Sequence, residues 1–127
     1  MKNILLIITL FISWNAIAEE KVWYCKAEES MGMSYKSGAW ESGIYELKRM
    51  TVKAIDDKLI FPESFGFDYL KVCTATSDIV SCSAFAKTFM LNTSTGKATS
   101  SVLFGWIASP EYKTDDMSVT AWKCESF

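Results

Sequence analysis

The chain has 127 residues, of which 50% are hydrophobic, 13 are Lys or Arg and 15 are Asp or Glu, a profile typical of one small folded domain. It contains no histidine, which excludes Ser-His-Asp and Cys-His catalytic arrangements and metal sites that need an imidazole ligand. The net charge of −2 argues against a nucleic-acid partner.

Residues 1–18 have the anatomy of a secretory signal peptide. An apolar run follows Lys2, and small residues at Ala16 and Ala18 form a cleavage site. The run is much shorter than the roughly 20 residues that a bilayer-spanning helix needs. We therefore expect cleavage after Ala18. The product would be a single domain of residues 19–127 that lies in the periplasm or outside the cell and does not span the membrane.

Short segments rich in β-branched and aromatic residues recur between polar breaks along the predicted domain, which is the rhythm of an all-β fold. Asp56-Asp57 and the stretch 92–96 have the composition of turns, so each predicts a hairpin. The predicted strands are residues 21–27, 46–55, 58–61, 69–75, 79–83, 87–92, 98–108 and 117–125.

Two segments have alternative interpretations. Residues 28–43, rich in Ser, Gly and Met, are predicted to form either one long loop or a loop with an extra strand through residues 35–40. The segment 44–54 has apolar residues near helical spacing. Its Met50 and Val52 also alternate with charged or polar neighbours, and this alternation favours a strand.

All four cysteines lie in the predicted domain, and an even number in an oxidising compartment indicates two disulfides. A turn at Ser77-Asp78 would place Cys73 directly opposite Cys82 on neighbouring strands. The second bridge, Cys25 to Cys124, would join the first strand to the last. The sequence therefore predicts a small antiparallel β-barrel or β-sandwich of seven or eight strands, stapled by two disulfides.

Phe65, Phe67 and Tyr69 stand at alternate positions, so an extended segment would place them on one face. Such a face can stack on sugar rings or bind the apolar groups of a partner, and the alternative is packing in the core. We predict that Phe65 and Phe67, with Tyr69 beside them, contact a binding partner.

An up-and-down order of strands places the connecting segments alternately at the two ends of the fold. We expect the end poor in charge to bind the partner, because buried aromatic side chains supply most interface energy. The expected groups are residues 41–44, 62–68 and 93–96 at the apolar end, and residues 56–57, 76–79 and 109–116 with the acids Asp56, Asp57, Asp78, Glu111, Asp115 and Asp116 at the other.

Met31-Gly32-Met33 holds two thioethers on either side of a glycine, an arrangement that suits Cu(I). No third soft ligand stands near this motif at a spacing typical of a copper site. We therefore predict that these methionines cap the core, and that the protein binds no metal and no cofactor.

Ser42-Gly43-Ile44-Tyr45 resembles the Ser-Gly-x-x-Tyr loop of small exported bacterial lysozyme inhibitors, which are disulfide-bearing β-barrels of similar length. The motif is one residue short, and the second loop motif of those inhibitors has no counterpart. The resemblance covers four positions and implies a similar size and compartment.

These features predict an exported, non-catalytic binding protein of the bacterial envelope, of the inhibitor, immunity or accessory type, that recognises a protein or an envelope glycan. The alternative is a binder of small ligands or carbohydrates through surface aromatics, and a hydrolase using paired carboxylates ranks third. A core filled by aromatic rings would favour protein binding through loops. A hollow mouth lined by Trp and Tyr would favour a ligand.

Overall fold

The computed structural model describes residues 19–36, 38–63, 66–67, 70, 72–103 and 116–127, and this part of the chain is all β. Its strands are β1 (Glu20–Lys36), β2 (Ala39–Ile44), β3 (Arg49–Ile55), β4 (Lys58–Ile60), β5 (Val72–Thr76), β6 (Ile79–Ala84), β7 (Lys87–Asn92), β8 (Lys97–Val102) and β9 (Met117–Ser126).

The strands form a nearly closed antiparallel barrel. They pair in the order β4-β3-β1-β9-β8-β7-β6-β5, and β4 at one edge lies against β5 and β6 at the other. Strand β2 stands outside this order, and in the described part of the chain it pairs with the second half of β1. The prediction of a small antiparallel barrel or sandwich of seven or eight strands is thus confirmed, and the structure is a barrel of eight strands with one additional arm. The described residues contain no helix long and apolar enough to cross a bilayer.

Alternation of side chains explains why these segments become strands. In β3, Met50 and Val52 are buried while Thr51 and Lys53 are exposed. A period of two places one set of side chains inside the barrel and the other in solvent. The strand interpretation of this segment is therefore confirmed over the helical one.

The first strand is much longer than predicted. β1 continues to Lys36 and pairs with β2 through Tyr35 opposite Trp40, so most of residues 28–43 form a hairpin arm. The predicted long loop was wrong, because residues 28–36 continue β1. The extra strand that the sequence allowed is present as β2, shifted from residues 35–40 to Ala39–Ile44. The register of β1 against β9 shifts by a β-bulge between Ala27 and Glu29. The bulge keeps two consecutive glutamates in solvent while Ala27 and Ser30 both stay buried.

Both predicted disulfides are present, Cys25–Cys124 and Cys73–Cys82. Each joins residues that lie directly opposite each other, the first across β1 and β9 and the second across β5 and β6. The turn at Ser77-Asp78 has the predicted register, since Thr76 pairs with Ile79. Two disulfides are compatible with a secreted or extracellular protein.

The interior of the barrel is filled by aromatic rings around Phe89, which is completely buried. Its ring lies 5.0 Å from the centroid of Phe61, 6.0 Å from that of Phe67 and 6.3 Å from that of Trp122. Phe67 is itself 7% exposed, so it packs in the core and does not form the exposed contact that its spacing predicted. Phe65 and Tyr69 lie outside the described residues.

The two ends of the barrel differ from the predicted grouping. Residues 93–96 lie beside Asp78, because the backbone N–H of Thr93 donates to the carbonyl of Asp78. Asp116 precedes β9 at the opposite end. The predicted grouping was wrong because it omitted the chain reversal at Phe85-Ala86, between β6 and β7. This reversal places residues 93–96 at the same end as Asp78. We call the end with residues 56–57, 77–78 and 93–96 the turn end, and the end with residues 45–48, 85–86, 103 and 116 the mouth. Glu111 and Asp115 lie outside the described residues.

Gly96 shows how tightly the turn end is built. Its φ is 70°, its carbonyl accepts the backbone N–H of Cys124 at 2.6 Å, and an added Cβ would collide with the Cys124 carbonyl oxygen. We expect Gly96→Ala to reduce the free energy of unfolding by more than the roughly 1 to 2 kcal/mol of a left-handed backbone alone. Gly38→Ala is the control, since Gly38 has φ 87° but no neighbouring atom within 4 Å. Equal losses in urea denaturation would contradict the steric argument.

Candidate functional site

A recess of about 460 Å³ opens at the mouth of the barrel. Along β8 and β9 the inward side chains change from apolar at Ala98 and Trp122 to hydroxyl-bearing at Ser100 and Thr120. Since alternate residues of a strand share a face, this change places a wall of hydroxyls above the apolar core. Its lining includes Ser30, Ser100, Ser118 and Thr120 together with Phe67, Val102 and Trp122.

Hydrogen bonds hold these polar side chains in place. The hydroxyls of Ser30 and Thr120 lie 2.8 Å apart, which links β1 to β9 inside the barrel. The indole Nε1 of Trp122 donates to Oγ of Ser100 at 2.8 Å. A serine hydroxyl has one donor and two acceptor sites, so Ser100 keeps its own proton to donate. The recess therefore presents oriented hydroxyl groups that can still form hydrogen bonds with a ligand.

Charges of both signs surround the recess. Glu46 and Asp116 supply carboxylates, while Lys48 and Lys87 supply ammonium groups. Glu46, Lys48 and Asp116 are exposed, and Lys87 is half-buried. A rim with both positive and negative side chains suits a polar or zwitterionic ligand better than a highly charged one. The two carboxylates would repel an anionic ligand, and the two ammonium groups would repel a cationic one.

Tyr45 connects the arm to the recess. Its backbone N–H donates to the carbonyl of Ser30 at 2.9 Å, and its hydroxyl donates to the carbonyl of Met117 at 3.5 Å. Burial raises the pKa of the Tyr45 phenol, the Asp116 carboxylate raises that pKa further, and a hydrogen bond with Ser34 opposes both effects. Folding thus favours the neutral phenol.

We expect Asp116→Asn to lower the pKa of Tyr45 while leaving it above the ordinary value, because burial, the larger cause, is unchanged. A phenol whose pKa is raised on folding contributes stability below its unfolded pKa and loses that contribution as pH rises through the folded value. Tyrosine ring NMR signals followed through alkaline titration measure this directly. An unchanged pKa in the variant would show that Asp116 does not act on the phenol.

The most exposed large apolar side chain at the mouth is Phe85, in the turn between β6 and β7. It is 99% exposed, and its φ of 51° lies in the left-handed region that bulky residues rarely adopt. The neighbouring Ala86 carbonyl accepts the N–H of Leu103 at 2.9 Å, which holds a second exposed apolar residue at the same place. The sequence reasoning missed Phe85 because Ala84-Phe85-Ala86 contains none of the usual turn residues.

The residues singled out in the sequence are only partly brought together. Phe67 lines the recess from the core side, and Tyr45 of the four-residue motif lines it from the arm. The other residues of that motif, Ser42 to Ile44, are exposed on β2. Among the described residues, no three His, Cys, Asp or Glu side chains form a metal-binding group.

The chain matches no family model, no curated protein and no solved structure. The geometry of the barrel and its mouth therefore carries the functional argument.

Proposed function

We propose that the protein is an exported, non-catalytic binding protein of the bacterial envelope that recognises another macromolecule through the mouth of its barrel. The predicted signal peptide places it in the periplasm or outside the cell. A sequence without histidine lacks the usual base for a serine, threonine or cysteine nucleophile, which supports the non-catalytic part of the proposal. Its S-x-x-K spacing, Ser94 to Lys97, lies exposed at the turn end, away from the recess.

The distribution of exposed apolar side chains supports the mouth as the binding surface. Among the described residues, seven of the eleven exposed large apolar side chains lie in the half of the barrel nearest the mouth. The other four, Ile60, Ile79, Met90 and Phe127, are spread over the half nearest the turn end, beside its acids, Ser and Thr. Exposed apolar groups collected on one side of a small protein mark interaction surfaces. The mouth-half residues are Met31, Ile44, Leu47, Val72, Phe85, Leu103 and Val119.

Phe85 is the observation that carries the proposal. A phenylalanine in the left-handed region costs conformational energy, and at 99% exposure it gains nothing from packing within the barrel. Folding therefore does not explain its presence. A rigid turn that presents an aromatic ring has the form of an interface anchor, since such rings dominate binding energy when they enter an apolar pocket of the partner.

The recess supports a second candidate, a small polar ligand or carbohydrate. Trp122 and Tyr45 line it together with hydroxyl groups, which is the composition expected of a hollow mouth that holds a ligand. The two candidates use neighbouring but different residues, so variants can separate them.

The test uses partner captured from the envelope of the source organism and measures its affinity for purified variants. We expect Phe85→Asn to weaken binding on the order of 30-fold, the loss typical of an aromatic anchor worth about 2 kcal/mol. Asparagine tolerates positive φ, so the fold is kept. Phe127→Asn is the matched control, because Phe127 is 87% exposed beside the first residues of β1 at the other end.

Ser118→Leu, which narrows the recess, separates the second candidate from the first. Binding that is lost in this variant and kept in Phe85→Asn would favour a ligand in the recess. Equal loss in Phe85→Asn and Phe127→Asn would reject the mouth as the binding surface.

A further inference from the structure

Three methionines share the outer face of the barrel wall where β1 and β9 pair. Met33 lies directly opposite Met117, and Met31 lies two residues before Met33 on the same strand. Directly opposed residues have Cβ atoms roughly 5 Å apart, and residues two apart on a strand are separated by about 7 Å. Three unbranched side chains at these spacings can bring their sulfur atoms to one point.

The alternation of the two strands shows that this face is outside. Ser30, Ser118 and Thr120 point inward and line the recess. Their neighbours Met31, Met33 and Met117 therefore lie on the outer face, where Met31 is 55% exposed and the other two are half-buried. The prediction that Met31 and Met33 cap the core was wrong, because β1 continues as a strand where a loop was expected.

Gly32 explains why the two strands approach closely at this level. It lies between Met31 and Met33 and pairs with Ser118. A Cβ at Gly32 would collide with the carbonyl oxygen of Met117, so a larger residue would force β1 away from β9. The Met-Gly-Met sequence thus supplies two thioethers, and its glycine allows β9, which carries the third thioether at Met117, to pack closely against β1.

We propose that Met31, Met33 and Met117 form a binding site for Cu(I). Thioether sulfur is a soft, neutral ligand that selects Cu(I) over harder divalent ions. The sequence has no imidazole, and all four cysteines are in disulfides, so thioethers are the remaining soft donors. The structure supplies in Met117 the third ligand that the Met-Gly-Met spacing lacked. This site is separate from the recess and from Phe85, and it does not depend on the proposed function.

The surroundings suit a soft ion of low charge. Met31 lies between Ile44 on β2 and Val119 on β9, its direct partners on either side. Both are exposed apolar residues on the same face, at 89% and 51% exposure. These apolar flanks supply no oxygen ligand, so the site offers thioether donors to a soft ion and no carboxylate to a hard divalent cation.

The test titrates the oxidised protein, with both disulfides intact, with Ag(I) as a redox-inert soft probe and with Cu(I) in anaerobic competition against a colorimetric chelator. We expect one equivalent of either ion to bind. Each of Met31→Leu, Met33→Leu and Met117→Leu is expected to weaken binding at least tenfold, and the triple variant to abolish it. Leucine is close to methionine in volume, so the fold is kept.

Met90→Leu is the matched control, because Met90 is a 40% exposed methionine on the distant strand β7. In NMR spectra, one equivalent of Ag(I) should shift the methyl signals of Met31, Met33 and Met117 and leave those of Met50 and Met90 in place. The proposal is overturned if no stoichiometric binding occurs, if binding survives in the triple variant, or if Met90→Leu weakens it equally. In each case the methionines would be an apolar surface only.

Discussion

Replacing Cys25 and Cys124 by alanine is expected to lower the free energy of unfolding by about 4.7 kcal/mol, the chain-entropy value for a loop of roughly 100 residues. The two cysteines are 99 positions apart in sequence and adjacent across β1 and β9. Without the bridge, the first and last strands of the barrel must find each other from opposite ends of the chain. This pairing closes the barrel, so the bridge acts on the whole fold.

The matched comparison is Cys73→Ala/Cys82→Ala. That bridge spans 9 positions within one hairpin, for which the same relation gives about 2.7 kcal/mol. Urea denaturation of the two double variants under identical conditions measures the difference. Equal losses in the two proteins, or a smaller loss for the Cys25–Cys124 variant, would contradict the closure argument.

Phe89→Ala is expected to cost about 3 to 5 kcal/mol, which is of the order of the whole stability of a small domain. The Phe89 ring is completely buried and lies against the rings of Phe61, Phe67 and Trp122. Alanine would leave a cavity at the point where these aromatic side chains meet, and the rigid barrel wall limits how far they can collapse into it.

Phe85→Gly is the control for this prediction, four residues away on the same hairpin. Its ring is exposed and its φ is positive, so glycine removes strain and no packing. We expect its melting temperature to be unchanged or higher. A large loss in Phe85→Gly, or a loss below 1 kcal/mol in Phe89→Ala, would show that the two rings have the opposite roles.

Much of the barrel could be predicted because its information is local. Met50 and Val52 alternate with exposed neighbours, and the turn at Ser77-Asp78 sets the register that places Cys73 opposite Cys82. Pairing the remaining cysteines then closes the sheet. Each step needed only a period of two and the reach of a disulfide.

The mouth could not be predicted, since its features depend on contacts distant in sequence. Serines and threonines in β8 and β9 resemble solvent-facing residues until the barrel shows which of them point inward. The alternate spacing of Phe67 with its aromatic neighbours predicted an exposed binding face, yet Phe67 packs against Phe61 and Phe89 in the core. Phe85 occupies a turn that ordinary turn composition does not indicate.

Met117 likewise becomes a neighbour of Met33 only when the last strand pairs with the first. The sequence separates these two methionines by most of the domain. No pattern of local spacing joins them, and the third thioether was therefore missed.

The most direct test of the mouth as the binding surface is site-specific photo-crosslinking in the source organism. A photoreactive phenylalanine analogue is placed at position 85, at the mouth, or at position 94, which is exposed at the turn end. We predict a discrete crosslinked product from position 85 and none from position 94. A product from position 94 with none from position 85 would contradict the assignment of the mouth as the surface that binds the partner.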